Sequence, residues 1–479
     1  MTHPSTASVS SQQAACGHPE PATVEEINAS CRGPVLLPVT LSVLWLVAGS
    51  VLWVIASIKL HGPGFLSDFT WRTYGPVKPA AFTLFLYGFA SQALLGLALW
   101  MLCRLGKTTL VGGFLALVGI VFWNMGVALA TLGILGGAAT GFEWFELPTY
   151  AAPVLFVSYL PIGLCALLTF AARRDRELYV SQWYLLAALV IFPWIFATAN
   201  TLIAQMPARG AMQAVVGYWY GNNFLTLWLT PAALAVVFYL IPKLAGQPLH
   251  SRYLAAFGFW MLMIVGGWAG IPLGARLPAW MPAMSTVASV LMILPIIAVA
   301  LNLKKTISGQ CSVVKSTLAL KLSVYSVLAY LVYGVLAALN AHPAVGTITE
   351  FTHATSGVTQ LALFGFVALA IFAGIYHAGA SLLSAEWCGK LAKTHWLLSA
   401  LGLILSVAAL VIGGVLQGRA FDNPDAAFIQ SVKKTIPFVG LSTLGMTLWL
   451  LGSLALLGNV AYLFKQACAN CCKSKEVRS

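Results

Sequence analysis

Of the chain's 479 residues, 59% are hydrophobic and only 8% are charged, whereas soluble domains carry about 25% charged residues. That balance excludes an ordinary water-soluble globule and points to a multi-pass membrane protein. The net charge of +13 does not call for nucleic acid, because basic loops that hold one face of a membrane protein inside, and meet anionic lipid there, produce the same excess.

The first 30 residues are polar and lack the charged start and apolar core of a secretory leader. Residues 1–32 therefore read as a polar, disordered tail. A span needs about 20 largely apolar residues. Apolar runs bounded by charge, Pro or Gly predict twelve, at 35–60, 80–103, 108–136, 150–172, 180–205, 212–241, 253–275, 281–303, 317–341, 357–385, 394–417 and 436–464. Residues 33–465 thus make a twelve-helix, all-α membrane domain, followed by a basic tail at 466–479. Most of the 26 Lys and Arg fall in alternate loops, including Arg173, Arg174 and Arg176, Lys304 and Lys305, and the tail from Lys473 to Arg478. The loops around Glu143 and Glu146, and around His342 and Glu350, contain none. Basic loops stay in the cytoplasm, so both termini are predicted to be cytoplasmic.

Ionisable groups inside a membrane are costly and usually functional. The 13 acids all lie in tails, loops or span ends, so a carboxylate relay through the spans is not expected. Among the eight histidines, His353 and His377 are the plausible interior ligands. Each also has a plainer reading: His377 as a neutral ring bonded to a carbonyl, His353 as a solvated or helix-capping side chain. His395 reads as the start of a helix. Nine cysteines are scattered except for Cys468, Cys471 and Cys472, a group that lacks a fourth metal ligand and reads as reduced or lipidated thiols. No Cys-x-x-Cys-His occurs, which removes covalent c-type haem. Transporter, haem-bearing redox protein and structural subunit all remain open at this point.

One stretch narrows the choice. Trp219-Tyr220-Gly221-Asn222-Asn223, "FYLIPK" at 238–243, Phe259-Trp260, Trp268-Ala269-Gly270 and Pro278-Ala279-Trp280 resemble the central segment of subunit I of the haem-copper oxidases, most nearly the C-type (cbb-type) cytochrome c oxidases. The resemblance runs from the first span to the twelfth. It implies twelve helices in three arcs, a low-spin haem on two His, a high-spin haem on one, and a copper on three His, one of them linked to a Tyr. Haem b and copper are the family's cofactors, and imidazole suits both metals.

Carried over position by position, the resemblance places none of those ligands. The first low-spin haem ligand falls at Ala81. The His-x-His pair of the tenth span falls at Val358 and Gln360. The copper ligand after Trp-Tyr-Gly falls at Asn222, the adjacent His-His pair at Ile271-Pro272-Leu273, and the linked Tyr at Gly266. The leading expectation is a degenerate subunit I, structural or assembly-related, without haem or copper of its own, in a bacterial inner membrane. Other respiratory-complex membrane subunits, possible membrane-anchored c-type cytochromes, and lipid are its implied partners. Phe82, Phe85, Gln360 and Phe364 are expected to fill vacated haem space, and one vacated pore is a candidate site for a quinone, lipid or other apolar ligand. Two alternatives stand beside it: an active terminal oxidase or nitric oxide reductase with relocated ligands, and a transporter using a polar pocket around Tyr220, Asn222 and Asn223.

Overall fold

The computed structural model describes residues 20–275, 277–423, 425 and 427–476, with side chains described as far as Asn470. Helix α1 (Val24–Lys59) starts well before the first apolar run. Thr23 and Glu26 form a reciprocal capping box there, Thr23 N donating to Glu26 Oε2 at 2.9 Å and Glu26 N to Thr23 Oγ1 at 3.3 Å. Two orphan donors are thereby satisfied. The last part of the expected polar tail is consequently helical, and residues 1–19 lie outside the described residues.

The remaining helices follow the predicted runs closely: α2 (Tyr74–Gly106), α3 (Gly113–Leu135), α4 (Ala151–Ala171), α5 (Val180–Gln205), α6 (Ala211–Ala245), α7 (Arg252–Trp268), α8 (Trp280–Thr306), α9 (Leu318–Ala341), α10 (His353–Leu383), α11 (Gly389–Phe421) and α12 (Phe428–Glu476). Counting α1, eleven of these twelve described helices are long and apolar enough to cross a membrane. The exception is α7, predicted at 253–275, which stops at Gly266-Gly267-Trp268 in a tight 3-10 turn. Two glycines and the following Ala269 in extended conformation end it before a full crossing. In the other direction α12 continues through residues 466–476, where a tail was expected.

The start of α1 and the end of α12 lie at one end of the bundle. Ala22 N donates to Lys107 O at 3.0 Å, which ties the residues just before α1 to the end of α2. Asn28 Nδ2 donates to Ser381 O at 2.9 Å and Glu386 N to Gln466 Oε1 at 2.9 Å, which brings the start of α1, the end of α10 and the end of α12 together. At the distal end, Ser57 of α1 meets Thr443 of α12 at 2.7 Å.

Three helices form the centre. The whole apolar window of α2 and of α6 is buried, as is 94% of that of α10, against 39–50% in the other eight long helices. Each central helix contains a wider π-type stretch, at Leu84–Ser91, Phe224–Leu229 and Leu361–Val367. Such bulges are rare in helices and gather at functional sites. These three stretches fall on the helices that carry Ala81, Asn222, and Val358 with Gln360, and a fourth, Asn200–Gln205, ends α5.

With no hydrophobic drive between helices in lipid, close backbone approach carries much of the packing. Helices α11 and α12 touch at Gly402 and Gly445: a Cβ on Gly402 would sit 2.5 Å from Gly445 O, and one on Gly445 would sit 2.6 Å from Gly402 O. Gly440, on α12, has nothing within 4 Å of its Cβ position. Gly402→Ala is therefore expected to destabilise the bundle by about 1–3 kcal/mol through overpacking, while Gly440→Ala is neutral or mildly stabilising. Thermal unfolding of the two variants in the same detergent checks the contrast.

Candidate functional site

The distal half of the centre holds a cavity of about 570 Å³. Its floor and walls are apolar and aromatic, with Trp53 of α1, Phe82 of α2, and Val358 and Leu363 of α10. Its rim is charged, with Lys78, Glu143, Glu350 and His353. Lys78 Nζ is 4.0 Å from Glu143 Oε1, and both side chains are well exposed, so this pair contributes little. Two rim or wall residues, Trp144 and Phe351, have φ of +73° and +60°. A left-handed backbone at a bulky residue costs about 1–3 kcal/mol and is held only where the surroundings impose it.

The sequence-predicted positions line this cavity or lie just beneath it. Ala81 is fully buried and offers a methyl group. Val358, 8% exposed, faces the cavity with an isopropyl group. Gln360 Oε1 accepts from Ser406 Oγ at 2.8 Å, and Ser406 in turn meets Ser442 Oγ at 2.9 Å, so the amide joins α10 to α11 and α12. One helical turn toward the termini from Ala81 and from Gln360, Phe85 and Phe364 stack with centroids 4.3 Å apart. Trp449 and Trp53 close on Phe364 edge-on at 4.8 and 5.2 Å, an arrangement favoured by the ring quadrupoles. Phe82 flanks Trp53 at 5.9 Å.

Asn222 and Gly266 are brought into direct contact, Asn222 Nδ2 donating to Gly266 O at 2.8 Å. Asn223 Nδ2 donates to Trp219 O at 2.7 Å and reaches Gly267 O at 3.5 Å. The two amides thus stitch α6 to the broken end of α7. Gly270 follows with φ +94°, and a Cβ there would be 2.5 Å from Asn222 Cβ, so the loop needs glycine twice over, for its backbone and for the close approach. Pro272 and Leu273 then line the cavity, and Leu273 N donates to Glu350 Oε1 at 3.0 Å. The polar pocket expected around Tyr220, Asn222 and Asn223 does not form. Tyr220 is fully buried and its hydroxyl meets that of Tyr87 at 2.6 Å, and Tyr87 also donates to Trp144 O at 3.1 Å.

The histidines are dispersed. His353 lines the cavity, but Thr352, not His353, caps α10: Thr352 Oγ1 accepts from Ala354 N at 3.2 Å, while His353 N donates to Gln417 Oε1 at 3.0 Å. His377 packs against Trp100 and Tyr239 at 5.7 and 6.3 Å, where a carbonyl partner was expected. His395, expected at a helix start, is fully buried and its Nδ1 lies 3.0 Å from Tyr376 OH. The sequence understated it because α11 begins at Gly389, several residues before its apolar run. Among the described residues, no three His, Cys, Asp or Glu side chains group closely enough to hold a metal. Cys468 is exposed, and the side chains of Cys471 and Cys472 lie outside the described residues.

Comparison with known proteins places this architecture. The family described as "Cytochrome C and Quinol oxidase polypeptide I" matches residues 34–448, and the chain belongs to it. It is 25% identical over 459 residues to a cytochrome c oxidase subunit 1 homolog of Azorhizobium caulinodans, covering 92% of this chain and 83% of that one. It is also 25% identical over 437 residues to the cbb3-type cytochrome c oxidase subunit CcoN1 of Stutzerimonas stutzeri, covering 88% and 92%. A haem-copper terminal oxidase solved as a dimer by cryo-electron microscopy shares the fold, with a TM-score of 0.74 at 14% identity, over 90% of this chain and 84% of that one.

Beside the cavity, Glu146 sits in the loop between α3 and α4 with its Oε2 buried and without a hydrogen-bond partner. Burial, then repulsion from Glu143, pushes its carboxyl from the usual 4.5 up to about 8, against a smaller opposing pull from Lys78. Between those pH values the folded chain holds a proton that the unfolded chain has released, so this group's contribution to stability falls as pH rises from about 4.5 to about 8. Glu146→Gln is expected to flatten that slope and to be more stable than the parent protein at pH 8 and above. Melting temperatures across pH 5–9 check it.

Proposed function

We propose that this subunit I homologue is a degenerate member of its family, retained as a structural or assembly subunit of a respiratory membrane complex without a haem-copper centre of its own. One observation carries the reading. Every position where the resemblance requires an imidazole holds a side chain that cannot coordinate or an amide already committed to protein hydrogen bonds. Ala81 and Val358 have no donor atom. Gln360 Oε1 is engaged by Ser406. Asn222 is engaged by Gly266, which itself stands where the linked Tyr would be and has no side chain.

The space argues in the same direction. A porphyrin held between positions 81 and 360 needs the volume that Phe85, Phe364, Trp53 and Trp449 now occupy. Large voids forfeit packing energy, and aromatic filling is a stable way to use a pore that holds no cofactor. Haem b and copper therefore do not fit the residues present. Of the described interior histidines, only His353 lines the cavity, so relocated ligands have little to draw on. Tyr220 and its neighbours, being bonded to one another and to the backbone, offer no lining for a transport path.

The reading implies partners among other membrane subunits of a respiratory complex, with membrane-anchored c-type cytochromes as the candidates the family suggests. It also retains the inference from basic loops that both termini are cytoplasmic. Two measurements test it. Affinity-purified protein is expected to be colourless, with a pyridine haemochrome signal and copper content far below one per chain; stoichiometric haem or copper would refute the reading. Reporter fusions at either terminus are expected to be active only as cytoplasmic enzymes, and periplasmic activity at either would overturn the topology.

A further inference from the structure

We propose that a soluble phosphate group, as inorganic phosphate or a phosphomonoester, binds where the three central helices finish, held by Arg104, Lys243 and His377. These side chains stand in the last two turns of α2, α6 and α10. They gather on one indole. Arg104 Cζ lies 5.8 Å and Lys243 Nζ 5.9 Å from the Trp100 ring centre, and the centre of the His377 ring lies 5.7 Å from it. This is the end of the bundle away from the distal cavity, and binding there is independent of whether the chain holds haem.

The donors of this cluster are largely unused. Arg104 Nη1 is buried without a hydrogen-bond partner among the described residues. Lys243 Nζ donates to Tyr239 OH at 2.5 Å, a neutral acceptor that leaves its charge uncompensated. Neither cation pairs with a carboxylate among the described residues, where the ion pairs are Lys78–Glu143 and Lys107–Asp175. Like charges held together repel, so a counter-charge is called for. The Trp100 face offsets them weakly, because both cations stand near the roughly 6 Å limit of a cation–π contact. Tyr239 adds a ring 4.7 Å from Lys243 Nζ, which does nothing for Arg104. The carbonyl ends of three helices also favour cations, yet these are partial charges, and the buried Nη1 takes none of those oxygens.

An oxyanion supplies what is missing. A guanidinium fork, an ammonium and an imidazole N–H arriving from three helices suit a tetrahedral group with oxygens facing several ways. The fixed positive charges of Arg104 and Lys243 match a phosphate dianion. A planar carboxylate presents fewer oxygens. Access selects the source. Lys243 is exposed while Arg104 and His377 are half-buried, so the cluster opens onto water at the end of the bundle. The apolar windows of α2 and α6 are wholly buried and that of α10 is 94% buried, so outer helices stand between the cluster and lipid. A soluble phosphate reaches it more directly than a lipid headgroup does.

The test is calorimetric titration of the whole purified chain, in a neutral detergent and freed of phosphate, with inorganic phosphate at fixed ionic strength. Saturable binding of about one phosphate per chain is expected, and no saturable heat from potassium chloride in its place. Lys243→Gln and Arg104→Gln should each weaken binding about ten-fold or more, one charge-assisted hydrogen bond being lost in each. Lys390→Gln, an equal loss of charge from an exposed residue of α11, should leave it unchanged. Lys243 is exposed, so its variant answers even if Arg104→Gln folds poorly. Heats that do not saturate, binding unchanged in Lys243→Gln, or equal weakening in Lys390→Gln would overturn the site. Displacement of phosphate by phosphatidylglycerol but not by phosphatidylcholine would assign the cluster to a lipid headgroup and overturn the soluble ligand. Tighter binding in Glu476→Gln, whose side chain lies outside the described residues, would show that the chain's own carboxylate occupies the cluster and would overturn it as well.

Discussion

The structure depends on a constraint that lipid imposes: a polar group in the bundle must find its hydrogen-bond partners within the protein. Three side-chain amides on the central helices obey it. Asn222 and Asn223 reach backbone carbonyls of Gly266, Gly267 and Trp219, and Gln360 takes the hydroxyl of Ser406. The bonds of Asn222 to Gly266, Asn223 to Gly267 and Ser406 to Gln360 cross between elements, while that of Asn223 to Trp219 stays within α6. On the proposed reading, these amides hold α6 to α7, and α10 to α11 and α12, at the points where metal coordination would otherwise have joined them. An amide can do this without a cofactor because it carries both donor and acceptor.

Aromatic packing supplies what the amides do not. The Phe85–Phe364 stack and Trp449 occupy the half of the centre toward the start of α1, Trp53 stands between that stack and the cavity, and the distal half keeps the cavity open. The two halves differ in kind. The first is rings on rings, with the buried Trp449 Nε1 left without a hydrogen-bond partner among the described residues. The second is bordered by Trp144 and Phe351, both in the left-handed conformation, which costs stability wherever the surroundings impose it. The π-type stretches of the three central helices lie beside both.

Much of the architecture was legible in the sequence because lipid makes hydropathy the dominant signal. Eleven spans agree with the apolar runs to within a few residues at most of their ends, and of the filling candidates Phe82, Phe85, Gln360 and Phe364, the structure stacks Phe85 on Phe364. Three misses share one cause, which is that capping residues, polar helix formers and glycines set where a helix starts or ends irrespective of hydropathy. The Thr23–Glu26 box carried α1 into the expected tail, Gly266-Gly267 cut α7 short, and the early start of α11 buried His395. The partners of Gln360 and Asn222 were not legible at all, since Ser406 is 46 residues away and Gly266 is 44 residues away in sequence. Only the fold brings them together.

The central claim is that protein side chains, and not a porphyrin, fill the space between α2 and α10. A cryo-electron microscopy map of the natively purified complex, at a resolution that separates aromatic rings, measures this directly. The account predicts continuous side-chain density for Phe85 and Phe364 as a stacked pair at about the 4.3 Å found here, with Trp449 against it and no metal peak between positions 81 and 360. A flat macrocycle with a strong central peak at that place, and the two phenylalanines turned aside, would contradict it.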